Sequence, residues 1–471
     1  MTVVLAIDQG TSGTKAVVVD EDGQLRGLAE LSIRPSYLPN GGVEQNPQEM
    51  LDSVITAGQL ALEKAGCKAD IVTLANQGET VLAWNPKTGE PLSQMLVWQD
   101  RRAESICAEL SEYSDDFAHR TGLVLDPYFS APKQAWIRRN VTTEGVVTTS
   151  DSWLLHKLTG EFVTDVTTAS RSLILDLETA NWDAELVARF GLQNEALPTI
   201  VANDQVIGST SVFTGEIAVG GLVVDQQAAL LAESCLLPGE AKCTFGTGAF
   251  LLANASSQAT RSSTGLSTSV AWQVRADTTY CFDGQVYTAA SAVRWLQKLG
   301  FINGAHELDA VAAEDSKGVY SVPSFAGLAA PWWKPEAKAS ITGMTLSTEK
   351  SHIVKAVLQG IAAQVAELGL AIGNDIGYPL QRLRVDGGLT QSAVLMQAVA
   401  DLMQIEIDIF PSQHATPLGA VALARLSMNP NMSLADSVVA WQPVKTYSPS
   451  WSATRSAEFL GNWKLAMDAS N

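Results

Sequence analysis

The stretch from Val3 to Asp20, VVLAIDQGTSGTKAVVVD, constrains the fold more than any other part of the chain. An apolar run of strand length ends at Asp8 and is followed by a turn rich in Gly, Thr and Ser. A second apolar run, Ala16 to Val19, predicts a strand that folds back. Such a hairpin presents backbone N–H groups, small hydroxyls and a carboxylate, which suit a polyphosphate and its magnesium ion. Ordinary hairpins use the same turn residues, so the motif alone does not distinguish a phosphate-binding hairpin from a purely structural one.

A second copy of this pattern begins near the middle of the chain. The sequence from Gly239 to Ala255, GEAKCTFGTGAFLLANA, again predicts strand, turn and strand, with Gly246, Thr247 and Gly248 at the bend. Internal repeats are informative because they determine architecture. This one predicts two related lobes that hold one nucleotide from opposite sides.

A third glycine turn, Asp386-Gly387-Gly388, lies between a predicted strand from Leu383 and a predicted helix that starts near Thr390. Glycines in such a turn let a ligand approach the backbone near a helix N-terminus. The sequence contains no GxxxxGK(S/T) motif and no GxGxxG motif that opens a helix, so P-loop and Rossmann folds lose support.

Composition excludes several classes of partner. The chain has 471 residues, enough for two or more domains, and a formal net charge of −19. An acidic surface does not favour nucleic acid or an anionic membrane, so we expect neither. The five cysteines show no CxxC spacing, the first strand starts at residue 3, and no run of about 18 apolar residues occurs. We therefore expect a cytoplasmic protein with no signal peptide, disulfide framework or membrane span.

Strand and helix patterns alternate along the chain, which predicts a mixed α/β fold. Asn46 and Pro47 predict the start of a helix that ends at Gly66, and apolar residues at helical spacing between Ile353 and Leu368 predict a long amphipathic helix.

Pro238 and Gly239 interrupt a helix-like run just before the second hairpin. We place the domain boundary there, with residues 1–236 as the first domain and residues 237–471 as the second. The segment after Met428 carries several tryptophans and no motif, and we expect it to form packed helix.

Many short motifs, in one consistent order, resemble those of the FGGY carbohydrate kinases and, within that family, of the glycerol kinases. They are IDQGTSGTK from Ile7, NQGET from Asn76, VWQDRR from Val97, DPYFS from Asp126, DSWLLHKLTG from Asp151, TDVTTASR from Thr164, VDQQAAL from Val224, CTFGTGAFLL from Cys243 and VDGG from Val385. The resemblance covers nearly the whole chain. It implies two actin-like ATPase domains of the ribonuclease H-like α/β fold, with the ATP and substrate cleft between them. The first domain would bind substrate and phosphate, and the second the nucleotide.

The resemblance also implies that Asp225 is the catalytic base and that Asp8 is associated with the magnesium ion. Phosphoryl transfer needs an acceptor hydroxyl aimed in line at the γ-phosphorus and a group that accepts its proton. A carboxylate with a pKa of about 4 is a weak base, but it can orient the hydroxyl and take the proton late. An acid in the first turn of a helix also stabilises that helix, and Asp225 is compatible with both roles.

For the nucleotide, the resemblance implies contacts from the three glycine turns and from the region after the second hairpin. The residues are Gly10, Thr11, Ser12, Lys15, Thr247, Ala290, Arg294, Gly387, Gly388 and Ser392. Glycerol kinases have arginine where this chain has Lys15, and glycine where it has Ala290. They have glutamine at the position of Arg294 and asparagine at the position of Ser392. ATP binding is still expected, although lysine keeps the charge of arginine without its planar fork.

The acceptor site carries the most informative difference. The resemblance assigns substrate binding to Gly78, Glu79, Trp98, Tyr128, Asp225, Gln226 and Phe250, where Gly78 replaces the arginine of glycerol kinases. That replacement removes hydrogen-bond donors and opens volume. Either a larger polyol or ketose enters, or another residue such as Lys133 supplies the charge.

The function expected from these residues is ATP- and magnesium-dependent phosphorylation of a primary hydroxyl on a small polyol. Glycerol, giving glycerol 3-phosphate, is the leading substrate. The alternatives are a kinase of the same fold for a C4 or C5 polyol or ketose such as erythritol, ribulose or xylulose, and a non-catalytic sensor of nucleotide or sugar. We expect the binding partner to be a small-molecule substrate, and the sequence leaves open whether the chain forms a homodimer.

Overall fold

The N-terminal hairpin forms the centre of a seven-stranded sheet in the computed structural model of the chain, which describes residues 2–213 and 215–469. Strand Val4–Gly10 pairs antiparallel with Gly13–Val19 and parallel with Ile71–Asn76. Across the sheet the strands are Val206–Thr210, Ile217–Gly220, Ile71–Asn76, Val4–Gly10, Gly13–Val19 and Leu25–Ser32, and Val223–Val224 also pairs with Ile71–Asn76.

The second hairpin forms the centre of another seven-stranded sheet. Strand Ala241–Phe245 pairs antiparallel with Ala249–Ser256 and parallel with Arg382–Asp386. Across this sheet the strands are Ser267–Val274, Asp277–Val286, Ala249–Ser256, Ala241–Phe245, Arg382–Asp386, Glu406–Ile409 and Lys445–Tyr447. Each sheet thus places a hairpin beside a parallel neighbour, which confirms the internal repeat predicted from the sequence.

Smaller sheets extend both halves. A five-stranded sheet consists of Ser36–Tyr37, Val43–Gln45, Met95–Leu96, Val81–Trp84 and Val146–Thr149. Two-stranded sheets pair Val163–Asp165 with Thr199–Val201, Leu175–Asp176 with Asn181–Trp182, and Tyr320–Val322 with Ser340–Thr342.

Helices cover the sheets and fill the connections between strands. The α-helices are Pro47–Ala65, Glu104–Glu109, Ser114–Thr121, Ser130–Asn140, Ser150–Thr159, Val166–Ala169, Ala184–Arg189, Asp225–Ala232, Ala290–Lys298, Leu308–Val311, Lys350–Ile376, Ala393–Met403, Ala415–Met428, Leu434–Ser437 and Ala453–Asp468. Short 3₁₀ turns occur at Ser111–Tyr113, Ala305–Glu307 and Gly388–Gln391.

The first of these helices confirms its predicted signals. The Asn46 side chain accepts hydrogen bonds from two backbone N–H groups of the first turn, and Gly66 ends the helix in the left-handed conformation at φ 65°. The helix expected near Thr390 begins as a 3₁₀ turn and becomes α-helical only at Ala393.

Helix Lys350–Ile376 is the one described helix that is long and apolar enough to cross a membrane. The most apolar 18-residue stretch of this helix is 89% buried inside the protein. It is the long helix predicted from the apolar spacing between Ile353 and Leu368, and polar residues interrupt its apolar run. Burial accounts for the composition, since a helix surrounded by protein is apolar on most of its faces.

The segment after Met428 contributes more than helix. It adds strand Lys445–Tyr447 at the edge of the second sheet and ends in helix Ala453–Asp468. Trp463 on that helix is fully buried, and its Nε1 donates to the Ser321 carbonyl oxygen at 2.9 Å.

A helix pair joins the two halves. Strand Val223–Val224 of the first half leads directly into helix Asp225–Ala232, and helix Ala415–Met428 of the second half packs against it. A Cβ on Gly419 would lie 1.8 Å from the Ala228 carbonyl oxygen, so only glycine allows this approach.

We expect Gly419→Ala to lower the free energy of unfolding by roughly 1–3 kcal/mol, because the added methyl must push two backbones apart. Thermal unfolding of the purified protein measures the effect as a lower Tm. Gly461→Ala is the matched control, since nothing lies within 4 Å of a Cβ there and residue 461 is inside a helix. Alanine at that position should leave the Tm unchanged or raise it. An unchanged Tm for Gly419→Ala would contradict the close helix contact.

Candidate active site

Both glycine-threonine turns open onto one cavity of about 190 Å³ between the two halves of the chain. It is lined by Thr11, Ser12, Tyr37, Gln77, Gly78, Glu79, Trp98, Gln99, Tyr128, Asp225, Gln226, Thr244, Gly246, Thr247 and Phe250. The lining includes every residue that the sequence assigned to the acceptor, and three that it assigned to the nucleotide, Thr11, Ser12 and Thr247.

The first turn is held in shape by close backbone packing and by side chains from other strands and loops. A Cβ on Gly13 would lie 2.6 Å from the Leu31 carbonyl oxygen. Gln45 Nε2 donates to the Thr11 carbonyl oxygen at 2.8 Å, and Trp98 Nε1 donates to the Thr11 hydroxyl at 2.8 Å. Trp98 therefore ties the first turn to the acceptor side of the cavity.

Asp8 and Lys15 lie opposite each other on the two strands of the first hairpin. Burial raises the pKa of Asp8 to about 7, Lys15 opposes this shift, and the carboxylates of Asp225, Glu30 and Asp386 add to it. Acids from both halves of the chain thus repel one another near the hairpin. A divalent cation there would relieve that repulsion.

The carboxylate of Asp8 suits a magnesium ion that is also bound by phosphate oxygens. Within residues 2–213 and 215–469, no group of three His, Cys, Asp or Glu residues could hold a metal ion by itself. Magnesium usually keeps several waters and is bound through one or two carboxylates together with substrate phosphates. Asp8 therefore suits a magnesium ion that arrives with a polyphosphate.

The second turn is equally constrained. A Cβ on Gly248 would lie 2.4 Å from the Val286 carbonyl oxygen. Helix Ala290–Lys298 begins beside the turn, because the Ala290 N–H donates to the Gly246 carbonyl oxygen at 3.1 Å. Thr247 is exposed at the cavity, across from the first turn.

The other predicted nucleotide residues lie outside the cavity lining. Gly387 lines a neighbouring cavity of about 300 Å³. It has a φ of +94°, and a Cβ on it would lie 2.5 Å from the Phe245 carbonyl oxygen, so the third turn packs directly on the second hairpin. A Cβ on Gly388 would meet open space. Gly10 closes the first hairpin opposite Gly13.

Arg294 and Ser392 have different surroundings from each other. Arg294 is exposed, and its Nη2 donates to the Ser291 hydroxyl at 3.3 Å. Ser392 is buried and caps helix Ala393–Met403, with its hydroxyl donating to Asp309 Oδ1 at 2.6 Å. A nucleotide contact from Ser392 stays a prediction, and the structure shows a helix cap there.

Asp225 is the first residue of its helix, and its Oδ1 accepts the Gln226 N–H at 2.7 Å. It also lines the cavity, so the structure is compatible with a role as catalytic base and with stabilisation of the helix N-terminus. Burial raises the pKa of the Asp225 carboxyl, and the positive charge of Lys242 is the largest influence against that rise.

Lys242 was not singled out from the sequence, although a lysine within the apolar strand AKCTF is an unusual residue to bury. It is fully buried in the second hairpin, where its Nζ donates to Gln226 Oε1 at 2.6 Å and to the Thr244 hydroxyl at 2.9 Å. The second half thus places a positive charge beside the helix of Asp225.

The residues predicted to bind the acceptor combine aromatic rings with a buried carboxylate. The Trp98 ring lies edge-on to Tyr128, with centroids 5.6 Å apart, and edge-on to Phe250, with centroids 6.1 Å apart. Glu79 is 3% exposed and has a φ of +57°, a left-handed conformation that costs energy for any residue but glycine. Such strain in a buried residue beside a cavity is typical of functional sites.

The space left by Gly78 is bordered by Arg171 and not by Lys133. A Cβ on Gly78 would lie 3.0 Å from Val224 Cγ2 and 3.8 Å from both Cδ and Nε of Arg171. Lys133 Nζ donates to the carbonyl oxygens of Pro127, Tyr128 and Phe129 at 2.5–2.8 Å. All three donors of that ammonium are used within the loop that carries Tyr128, which removes support for Lys133 as the direct replacement.

Arg171 ends the TDVTTASR motif, but no role was predicted for it from the sequence. Its Nε donates to Glu79 Oε1, its Nη1 donates to Asp283 Oδ2 at 2.6 Å, and its Nη2 lies 3.4 Å from the Tyr128 hydroxyl. The guanidinium therefore contacts two predicted acceptor residues and one carboxylate of the second sheet.

Comparison with protein families matches the chain twice. The N-terminal domain of the FGGY family of carbohydrate kinases matches residues 3–232, and the C-terminal domain of that family matches residues 241–428. The boundary proposed between residues 236 and 237 falls between the two matches, and the domain limits themselves stay a prediction.

Curated relatives resemble the chain along its whole length. A glycerol kinase from Polaromonas naphthalenivorans is 38% identical, over 99% of this chain and 99% of its own length. A glycerol kinase from Thermus brockianus is 37% identical, over 99% of this chain and 98% of its own.

Solved structures confirm the expected fold of two actin-like domains. Plasmodium falciparum glycerol kinase, crystallised with ADP, matches at a TM-score of 0.93 and 32% identity, covering 100% of this chain and 98% of its own. A ligand-bound xylulose kinase from Lactobacillus acidophilus matches at a TM-score of 0.89 and 20% identity, over 100% and 98% of the two chains, which shows a shared fold alone.

The contact between Lys242 and the Asp225 helix predicts a pH effect. A base must be deprotonated, so the rate of the expected phosphoryl transfer falls as the pH drops through the pKa of Asp225. Lys242→Met removes the charge that opposes the raised pKa. We expect the acid limb of the kcat/KM profile to move to higher pH by about one unit.

Rates measured across the acid range, with matched ionic strength, check this expectation. Lys464→Met is the control, because that lysine pairs with Glu367 at a half-exposed site outside the cavity. An acid limb that stays in place in Lys242→Met would show that Asp225 does not limit the rate.

Proposed function

Because the chain belongs to the FGGY family of carbohydrate kinases, we propose that it transfers the γ-phosphoryl group of ATP to a primary hydroxyl of glycerol, forming glycerol 3-phosphate. Full-length relatives that are glycerol kinases at 36–38% identity support this substrate. So does the P. falciparum glycerol kinase structure, which contains ADP.

One observation carries the proposal. A single cavity of about 190 Å³ contains both glycine-threonine turns, Asp225 and the wall of Glu79 and Trp98. Pockets for drug-sized ligands are commonly about 300–1,000 Å³, so this space favours a very small acceptor. The carboxylates and the Tyr128 hydroxyl offer hydrogen bonds to hydroxyl groups, while Trp98 and Phe250 offer apolar surface to a short carbon chain.

The reaction follows from these positions. The Asp225 carboxylate orients the acceptor hydroxyl and accepts its proton as the oxygen bonds to the γ-phosphorus. The bond between the γ-phosphorus and the bridging oxygen breaks, and its electron pair leaves on ADP. Backbone N–H groups and hydroxyls of the turns at Thr11 and Thr247 hold the phosphates, and Lys15 adds positive charge.

Asp8 is the residue that we propose holds magnesium, jointly with phosphate oxygens. When bound, the ion would neutralise negative charge that develops on the phosphates during transfer. Because both turns line one cavity, we expect the reacting atoms to lie between the two lobes, where exclusion of water would prevent wasteful ATP hydrolysis.

A second acceptor class has an observation in its favour. Gly78 lacks the side chain that an arginine would place in the cavity lining, and a further cavity of about 340 Å³ shares Trp98, Gln99 and Tyr128 with the acceptor cavity. Both features would accommodate a C4 or C5 polyol or ketose. We rank this class below glycerol because Glu79, Trp98 and Tyr128 keep the glycerol kinase pattern.

We further propose a cytoplasmic location. The described cysteines, of which Cys67 is exposed and Cys107, Cys235, Cys243 and Cys281 are buried, are all free. Free thiols suit a reducing compartment. A homodimer stays a prediction.

An acceptor panel tests the substrate. With ATP and magnesium fixed, we expect kcat/KM for glycerol to exceed that for erythritol, ribitol, ribulose and xylulose by at least about tenfold, the low end for discrimination of one carbon unit. A coupled assay of ADP release measures it. A higher kcat/KM for a C5 ketose would select the second class, and no stimulation by any acceptor would support a sensor.

Replacement of the proposed base tests the mechanism. Asp225→Asn keeps the size of the side chain and an oxygen for the Gln226 N–H, but removes the base. We expect kcat to fall by at least about 10²-fold, the low end for a positioned acid or base. Unchanged thermal unfolding would serve as the folding control, and turnover near that of the unmodified chain would remove Asp225 from the mechanism.

A further inference from the structure

Arg171 is a buried cation that contacts two residues of the acceptor cavity, Glu79 and Tyr128. Its side chain is 5% exposed, and both carboxylates that it contacts, Glu79 and Asp283, are 3% exposed. Nε and Nη1 bind these two carboxylates on separate sides of the guanidinium, while Nη2 faces the Tyr128 hydroxyl. One planar group therefore determines the relative positions of three side chains.

Stability alone gives little reason for this arrangement. Removal of two carboxylates and a guanidinium from water is costly, and apolar residues of similar size often serve a protein core as well or better. The cluster has one positive and two negative charges, so it does not reach neutrality when both acids are ionised. Glu79 also has a strained backbone at φ +57°. Strain and buried charge together indicate that the geometry itself is used.

Arg171 also borders residue 78, which has no side chain. A Cβ on Gly78 would lie 3.0 Å from Val224 Cγ2 and 3.8 Å from both Cδ and Nε of Arg171. The space in which glycerol kinases place an arginine is thus bordered here by a guanidinium that comes from a distant segment. Its Nε donates a charge-assisted hydrogen bond to the carboxylate of Glu79, which lines the cavity.

Asp283 connects this arrangement to the second half. It lies within strand Asp277–Val286, paired with Leu252 on one side and Ser267 on the other, so the second sheet fixes its position. Its Oδ1 is buried and has no hydrogen-bond partner among the described residues. The carboxylate therefore has capacity for a second bond from the same guanidinium.

We propose that Arg171 is a positioning residue for the acceptor: it holds Glu79 and Tyr128 in the geometry that binds the acceptor hydroxyls, and Asp283 anchors it to the second domain. This inference rests on the proposed kinase function and goes beyond it. Arg171 acts through Glu79 and Tyr128, since it does not itself line the cavity.

Steady-state kinetics of Arg171→Met with glycerol and ATP test the proposal. We expect the KM for glycerol to rise by about ten- to hundredfold, the effect of losing charge-assisted hydrogen bonds, while the KM for ATP changes by less than about threefold. Arg171→Lys restores the charge without the planar fork of the guanidinium. Its KM for glycerol should lie between that of the unmodified chain and that of Arg171→Met. A merely structural arginine would change the fraction of active enzyme, which does not alter KM.

Arg138→Met is the matched control. Arg138 is also ion-paired and largely buried in the first half, but its partner Glu195 is remote from the cavity lining. Its KM for glycerol should match that of the unmodified chain. If Arg171→Met raises the glycerol KM by less than about fivefold, or raises both KM values equally, the proposal is wrong.

Asp283→Asn decides the matter should Arg171→Met not fold, because asparagine keeps the size of the side chain and removes the charge that anchors Arg171. We expect its KM for glycerol to rise by at least about threefold with the KM for ATP unchanged, and an unchanged glycerol KM would overturn the proposal. The unmodified chain separates the two hypotheses: if it phosphorylates no polyol, the proposed function fails, whereas an active chain with these variants unaffected defeats only the role of Arg171.

Discussion

The helix that begins at Asp225 belongs to the first half of the chain, yet the second half holds it. Helix Ala415–Met428 crosses it so closely that a Cβ on Gly419 would lie 1.8 Å from the Ala228 carbonyl oxygen. From the other side, Lys242 donates to Gln226 at 2.6 Å. Because the second hairpin and this helix share the cavity, the distance between the two glycine-threonine turns depends on these contacts. The site is a property of the interface and of neither half alone.

The sequence predicted the parts of this structure that depend on short-range chemistry. A hairpin turn needs glycines where backbones approach closely, and Gly13 and Gly248 stand where a Cβ would meet a carbonyl oxygen at 2.6 and 2.4 Å. The helix cap of Asn46 and the alternation of strands and helices are equally local. The internal repeat then followed from two copies of one pattern, and its confirmation required only that each hairpin have a parallel neighbour.

Side-chain partners over long sequence separations were not predictable in the same way. Arg171 lies 92 residues from Glu79 and 112 from Asp283, and no local pattern brings them together. For the same reason the sequence offered Lys133 as a substitute cation, whereas three carbonyl oxygens of its own loop occupy its ammonium. At Ser392 the structure shows a helix cap that the sequence did not predict, while its nucleotide contact stays a prediction.

The hydrogen bond from Trp98 Nε1 to the Thr11 hydroxyl joins the two proposed ligand sites through the Thr11 oxygen. A hydroxyl can donate its own proton to a phosphate oxygen while it accepts the indole N–H. A phosphate at the first turn would then polarise the indole bond and fix the ring that forms one wall of the acceptor cavity. Thermodynamic reciprocity requires that an acceptor packed on that ring tighten the hold on phosphate to the same degree. Binding of either substrate would thus strengthen binding of the other through Trp98.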